Sequence, residues 1–124
     1  IMSFLRVNKV AELMSAHKRS YARHTTEGIA LLGQMIRHGR KQRKMTEMEL
    51  AERLGIARST LQRLEKGDPK VEIGLMFEAA HLVGIRLFDL DEKGIRDLSQ
   101  RITDRIAILP KHVRKPKKAL IDAF

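Results

Sequence analysis

Cysteine is absent from this 124-residue chain, and aromatic residues make up only 4% of it. The lack of cysteine excludes disulfide scaffolds, thiolate zinc sites, iron–sulfur clusters and cysteine nucleophiles. The scarcity of aromatic rings argues against proteins that bind single strands by stacking bases. No apolar run approaches the ~20 residues of a membrane-spanning helix, and no signal peptide is recognisable. We therefore expect a cytoplasmic protein that has no membrane partner.

Basic residues are abundant, and they are concentrated towards the two ends. The chain has 25 Lys and Arg against 15 Asp and Glu, for a formal net charge of +10. The net charge is +8 over residues 1–44, −3 over 45–93 and +5 over 94–124. Such a balance favours a polyanionic partner, with duplex DNA as the first expectation and a merely soluble basic surface as the alternative.

The charge pattern and the apolar spacing divide the chain into four segments. Residues 1–24 are an N-terminal extension with helical spacing, and 25–93 form the packed domain. Residues 94–109 form a further helix, whose apolar stripe indicates a core or dimer contact. Residues 110–124 are a basic tail, extended or disordered, because prolines and cations follow one another there without an apolar period.

The most informative stretch is residues 46–67, TEMELAERLGIARSTLQRLEKG. Thr46 is a helix cap, and Glu49 three residues later completes a capping box. Gly55 stands where a tight turn requires a positive φ angle, and Ala51 supplies the small residue at a helix crossing. The apolar residues that hold such a corner together are Leu50, Leu54, Ile56, Leu61 and Leu64. This set at fixed spacing predicts a helix-turn-helix.

Residues 32–90 resemble the Xre/Cro group of phage-repressor-like helix-turn-helix proteins. The resemblance implies an all-α fold of five short helices, binding to a palindromic operator in double-stranded DNA, and a homodimer. The first helix is predicted to start near Thr26, the fourth spans about 73–82, and a fifth element lies around Phe88. The resemblance also implies an ion pair between Arg40, late in the first helix, and Glu65, late in the recognition helix.

Two further stretches resemble the HipB-like antitoxins, namely the loop GDPKVEIGLMF and the ending LPKHVRKPKKALIDAF. That resemblance implies a serine/threonine kinase toxin of the HipA type as a second partner. The cations of the tail are then candidates for contact with this partner or with DNA. They are Lys111, Arg114, Lys115, Lys117 and Lys118.

Side chains on the outer face of the recognition helix are the candidates for reading bases. With Leu61 and Leu64 turned inward, these are Arg58, Ser59, Gln62 and Arg63. An arginine can donate to guanine O6 and N7, and a glutamine can pair with adenine N6 and N7. The candidates for phosphate contact are Arg37, Lys41, Lys44, Thr60, Lys66 and Lys70. For each lysine alone, a free solvated charge is an equally good interpretation.

Two positions depart from the pattern of the family. Glu47 stands where members usually place a glutamine that meets a phosphate, and a carboxylate there is expected to repel the DNA backbone. Ala57 stands where a capping Ser or Thr is common, so the recognition helix lacks a side-chain cap. Both departures put tight DNA binding in doubt and leave the fold prediction unchanged.

Signals for catalysis or cofactors are weak. The five histidines have no ligand spacing, and neither a phosphate-binding glycine loop nor a nucleophile elbow is present. We therefore expect no enzymatic activity, no metal and no cofactor. Three hypotheses remain: a repressor that is also an antitoxin, a toxin-neutralising protein with weak DNA binding, and a free-standing regulator without a toxin partner.

Overall fold

In a computed structural model, residues 19–116 are described, and they contain helices and no β-strand. The α-helices are α1 (Arg23–Gln42), α2 (Glu47–Leu54), α3 (Arg58–Glu65), α4 (Ile73–Leu82) and α5 (Glu92–Ala107). A one-turn 3-10 helix spans Leu87–Asp89. The predicted all-α class is confirmed. The fifth element expected around Phe88 is this single 3-10 turn, which Phe88 interrupts with a φ of 56°.

The described chain divides into two compact units, residues 19–85 and 86–116. This boundary differs from the predicted end of the packed domain at residue 93. The physical reason lies in the second unit, where Phe88 and Leu90 line the same apolar cavity as Ile95 and Leu98. The segment after residue 85 thus packs locally against α5.

The core of the first unit forms where α3 meets α1 and α2, and where α4 meets the same two helices. Its buried apolar residues are Ile36, Leu50, Ala51, Leu61, Leu64, Met76, Ala79, Ala80 and Val83. The predicted corner residues Leu54 and Ile56 are only half-buried. Because burial of apolar area is the main favourable term in folding, this small core holds the α2–α3 corner in place.

Local signals set both ends of α2, whereas α3 begins without a side-chain cap. Thr46 Oγ1 accepts a hydrogen bond from the Glu49 backbone N–H at 3.0 Å, which is the Thr46 half of the predicted capping box. Gly55 has a φ of 68°, in the left-handed region that glycine enters without a steric cost. Ala57 precedes α3 without a side-chain cap, as the sequence predicts.

Helix α1 begins at Arg23, three residues before the predicted start. The Thr26 backbone N–H donates to the Ala22 carbonyl at 3.1 Å, and Arg23 Nε lies 2.8 Å from Glu27 Oε1. These two contacts stabilise an earlier first turn. The helix predicted in the N-terminal extension lies outside the described residues, apart from positions 19–24.

Helix α5 begins at Glu92, before the predicted residue 94, because Asp91 Oδ1 accepts a hydrogen bond from the Gly94 backbone N–H at 2.8 Å. Such a carboxylate cap satisfies a backbone donor that the helix itself leaves unpaired. In its predicted apolar stripe, Ile95, Ile102 and Ile106 are exposed, so the stripe is not core within its own unit. Residues 110–116 form neither helix nor strand.

Candidate nucleic-acid interface

The outer face of α3 carries the four predicted base-reading side chains. Leu61 and Leu64 are fully buried on the inner face. The side chains of Arg58, Ser59, Gln62 and Arg63 are all exposed. The 3.6-residue period of the helix therefore separates a packing face from a polar face.

A buried ion pair joins α1 to the end of α3. Arg40 Nε donates to Glu65 Oε2 at 2.8 Å, and Arg40 Nη2 donates to Glu65 Oε1 at 3.1 Å. Arg40 Nη1 donates to the Met45 carbonyl at 3.0 Å. The hydrogen bond to Glu65 raises the pKa of Arg40, so the guanidinium stays charged. The predicted contact is thus present, and it also holds the loop between α1 and α2.

Glu47 binds two of the predicted base-reading side chains, an arrangement that the sequence did not predict. Its Oε2 accepts hydrogen bonds from Arg58 Nε at 2.9 Å and from Gln62 Nε2 at 3.0 Å. The side chain of Arg58 is 60% exposed and that of Glu47 30% exposed. The hydrogen bonds from Arg58, and then from Gln62, hold the pKa of Glu47 below its ordinary value. The carboxylate that was expected to repel phosphates therefore lies beside a guanidinium that balances its charge.

Arg63 faces a different partner. Its Nε lies 2.8 Å from Asp68 Oδ2, and Asp68 Oδ1 accepts a hydrogen bond from the Lys70 backbone N–H at 2.9 Å. The bond from the Lys70 backbone, followed by that from Arg63, lowers the pKa of Asp68. Arg63 thus braces the loop after α3, whereas Arg58 and Gln62 lie together at the start of the helix.

Two of the predicted phosphate contacts lie around one polar cavity. The cavity has a volume of about 200 Å³ and is lined by Arg37, Glu47, Gln62, Glu65 and Lys66. Arg37 of α1 and Lys66, which follows α3, therefore lie at the edge of the predicted base-reading face. Lys41, Lys44 and Lys70 are exposed elsewhere on the first unit, and Thr60 is half-buried in α3.

Comparison with known proteins agrees with this geometry. The family model described as "Helix-turn-helix" matches residues 36–90, which include α2, α3 and α4. An uncharacterized HTH-type transcriptional regulator of Methanothermobacter thermautotrophicus is 38% identical over 66 residues, covering 50% of this chain and 96% of the relative. This chain belongs to the helix-turn-helix family. No solved structure matches it significantly.

Membership in the helix-turn-helix family gives the exposed face of α3 a function. The motif positions its second helix so that the side chains of one face reach base edges in the major groove. Residues 36–90 therefore form a DNA-binding domain of the kind found in transcription regulators. Which of the exposed side chains contact bases or phosphates stays a prediction.

Outside the helix-turn-helix domain, the basic tail is described as far as residue 116. Lys111, Arg114 and Lys115 are exposed there, and Lys117 and Lys118 lie beyond the described residues. Between residues 19 and 116, no three His, Asp or Glu side chains are grouped closely enough to hold a metal ion. Within the same range, no helix has the length and apolar character needed to cross a membrane.

The sequence contains one signal for the contacts of Glu47. In the helix-turn-helix register, Glu47 is the first residue of α2 and Arg58 is the first residue of α3. In the structure the start of one helix of the corner comes close to the start of the other, since Arg58 Nε lies 2.9 Å from Glu47 Oε2. Opposite charges at these two positions favour an ion pair across the corner.

Proposed function

We propose that this protein is a sequence-specific transcriptional repressor. The observation that carries the proposal is the exposed polar face of α3, which includes Arg58, Ser59 and Gln62. Gln62 lines one cavity with Arg37 of α1. The similarity to a protein described as an HTH-type transcriptional regulator supports it. In this proposal the protein associates with the nucleoid. It acts by binding DNA and not as an enzyme.

The proposed mechanism requires two copies of the chain. Two recognition helices enter successive major grooves about 34–36 Å apart on a palindromic operator, and the bound dimer occludes the promoter. The exposed apolar stripe of α5 supports association, because contiguous exposed apolar surface often marks an interaction site. Arg58 reads guanine and Gln62 reads an amino group of a neighbouring base.

Replacement of Arg58 tests this mechanism. For Arg58→Ala we expect operator affinity to fall by about 1–3 kcal/mol, the value of one bidentate base contact, with non-specific binding largely kept. The measurement is selection of binding sites from a random duplex pool, followed by titration of the selected site. Arg53→Ala, an exposed arginine of α2, is the control. Unchanged selectivity in Arg58→Ala would mean that α3 does not read bases through this residue.

We further propose that the protein is a HipB-like antitoxin that neutralises a HipA-type kinase. The resemblance of the loop after α3 and of the basic ending supports this role, as does the exposure of Lys111, Arg114 and Lys115. The test is a pull-down of the tagged chain from its host, with and without nuclease. A kinase that survives nuclease treatment supports the antitoxin, and recovery of a promoter fragment alone supports a free-standing regulator.

The position of Glu47 favours a second candidate, a toxin-neutralising protein with weak DNA binding. A carboxylate on the base-reading face lowers the attraction of that face for phosphates. The salt dependence of DNA binding separates the two candidates. A repressor with several phosphate contacts loses affinity steeply with salt, with a slope of about −0.9 for each contact, whereas a shallow slope at weak affinity supports the second candidate.

A further inference from the structure

Two side chains of the proposed base-reading face donate to one carboxylate oxygen. Glu47 Oε2 accepts from Arg58 Nε and from Gln62 Nε2, so the first residue of α2 binds two residues on successive turns of α3. Arg58 and Gln62 are thereby held together. A side chain that is already held in its bound geometry loses less conformational entropy when it binds.

The contact with Glu47 determines which nitrogen atoms of Arg58 remain available to donate to DNA. A guanidinium has five N–H donors, and Glu47 takes the one on Nε. Across the described part of the chain, the two terminal nitrogens of Arg58 form no hydrogen bond. They form the fork that matches the O6 and N7 acceptors of guanine. Glu47 thus orients Arg58 with this fork directed away from the carboxylate.

The same contact fixes the direction of the Gln62 amide. A carboxylate can only accept hydrogen bonds, so the amide nitrogen of Gln62 must face Glu47. The carbonyl oxygen then lies on the other side of the amide, where it can accept from the amino group of adenine or cytosine. A neutral side chain at position 47 would permit either orientation of the amide.

We propose that Glu47 is a positioning residue that sets the base preference of α3. It directs the terminal nitrogens of Arg58 towards guanine and the carbonyl oxygen of Gln62 towards a base amino group. It also competes with DNA phosphates for Arg58, which lowers affinity for all duplexes and keeps Arg58 on the base-reading face. The inference rests on the proposed function, since it assumes that α3 reads DNA.

The test compares two isosteric charge removals on the same helix, in the full-length chain. Glu47→Gln removes the carboxylate that binds α3. Glu49→Gln makes the same change at an exposed position of α2 whose hydrogen bond to Thr46 uses only its backbone N–H. Thermal unfolding of each variant confirms that the fold is kept. Binding is measured on the site selected by the wild type, on that site with its guanine replaced, and on random duplex.

For Glu47→Gln we expect tighter binding to random duplex and a weaker preference for the guanine. The operator-to-random ratio should fall roughly tenfold, which is about 1.4 kcal/mol and within the range of one bidentate base contact. Glu47→Asp, which keeps the charge on a shorter side chain, recovers part of the preference. Glu49→Gln changes affinity for all duplexes alike and leaves the ratio unchanged.

Three results would overturn the inference, and they have different meanings. If folded Glu47→Gln keeps the guanine preference and the ratio of the wild type, Glu47 does not position the reading side chains, although the protein still reads DNA. If the wild type itself selects no sequence from the random pool, the proposed function fails and the positioning role fails with it. An equal loss of selectivity in Glu49→Gln would also overturn it, because net charge alone would then explain the effect.

Discussion

At the scale of single residues, two carboxylates bind arginines of α3 and so bear on which cations the proposed DNA-binding face presents. Glu47 and Asp68 each bind an arginine of the recognition helix, Arg58 and Arg63 respectively. The two contacts hold the two arginines in different places. Arg58 is held on the reading face, whereas Arg63 is drawn to the loop that follows the helix. We therefore expect Arg58 to contribute more to base preference than Arg63 does.

The lowered pKa of Asp68 predicts how acid affects stability. Because the folded-state pKa is depressed, the carboxylate contributes stability at pH values above its unfolded pKa of about 3.9, and this contribution is lost as the pH falls through the folded value. Asp68→Asn should therefore lower the melting temperature at neutral pH. The difference from wild type should shrink in strongly acidic buffer.

Thermal unfolding at several pH values measures this effect. Asp97→Asn is a matched control, because Asp97 is an exposed residue of α5 in the second unit. A difference between Asp68→Asn and wild type that stays constant from neutral to acidic pH would show that the charge of Asp68 does not stabilise the loop.

At the scale of the helices, the pair of Arg40 and Glu65 is the polar contact that joins α1 to α3. Both side chains are nearly inaccessible to solvent, with 6% and 5% of their surface exposed. Removal of one partner leaves an uncompensated buried charge, whereas removal of both leaves an apolar contact. We therefore expect the pair to constrain how α1 and α3 pack more than it adds to net stability.

Replacement of the pair by apolar residues tests this interpretation. Arg40→Met alone should destabilise the protein by about 3–5 kcal/mol, because it leaves Glu65 buried without its partner. The double variant Arg40→Met with Glu65→Leu should recover most of that loss. Denaturant unfolding of the single and double variants gives the coupling free energy. If the two changes were additive, the ion pair would not be the reason for the cost.

At the scale of the whole molecule, the charge is divided between a reading surface and a tail. The cations of α1 lie on the unit that contains α3, whereas Lys111, Arg114 and Lys115 follow α5 in the second unit. These three side chains are exposed, and residues 110–116 form neither helix nor strand. Their charge can therefore act on a partner without a role in the core.

Replacement of the three tail cations by glutamine should leave the melting temperature unchanged. Binding to DNA or to a protein partner should weaken, and DNA binding should lose up to three phosphate contacts in its salt dependence, about 0.9 in slope for each. Titration with duplex DNA at several salt concentrations measures this effect. A lower melting temperature would instead show that the tail supports the fold.

Much of the fold could be predicted because its signals are local. The cap at Thr46, the glycine at position 55 and the spacing of Leu61 and Leu64 act within a turn or two of chain. These features place α2 and α3 and the angle between them. The span of α4 follows from the same kind of periodicity, and the observed bounds Ile73–Leu82 agree with the predicted 73–82.

An element around Phe88 was predicted but its form, a 3-10 turn at residues 87–89, was not, and α5 begins two residues before its predicted start at residue 94. Phe88 and Asp89 adopt positive φ angles, at 56° and 57°, and for a bulky residue such as Phe88 this conformation is an outlier. Packing around Leu90 and α5 overrides the local preference there. Because this segment packs with α5, the boundary between the two units lies at residue 85 and not at the predicted residue 93.

The sequence alone determined that this chain is a helix-turn-helix protein with a basic surface, because caps, turns and apolar periods are encoded within short stretches of chain. Only the tertiary structure decided what the charges do. Whether Glu47 repels a phosphate or holds Arg58 and Gln62 depends on how the starts of α2 and α3 approach each other in space. That distance is set by the packing of Leu50, Leu61 and Leu64 in the core, and a list of residue types does not contain it.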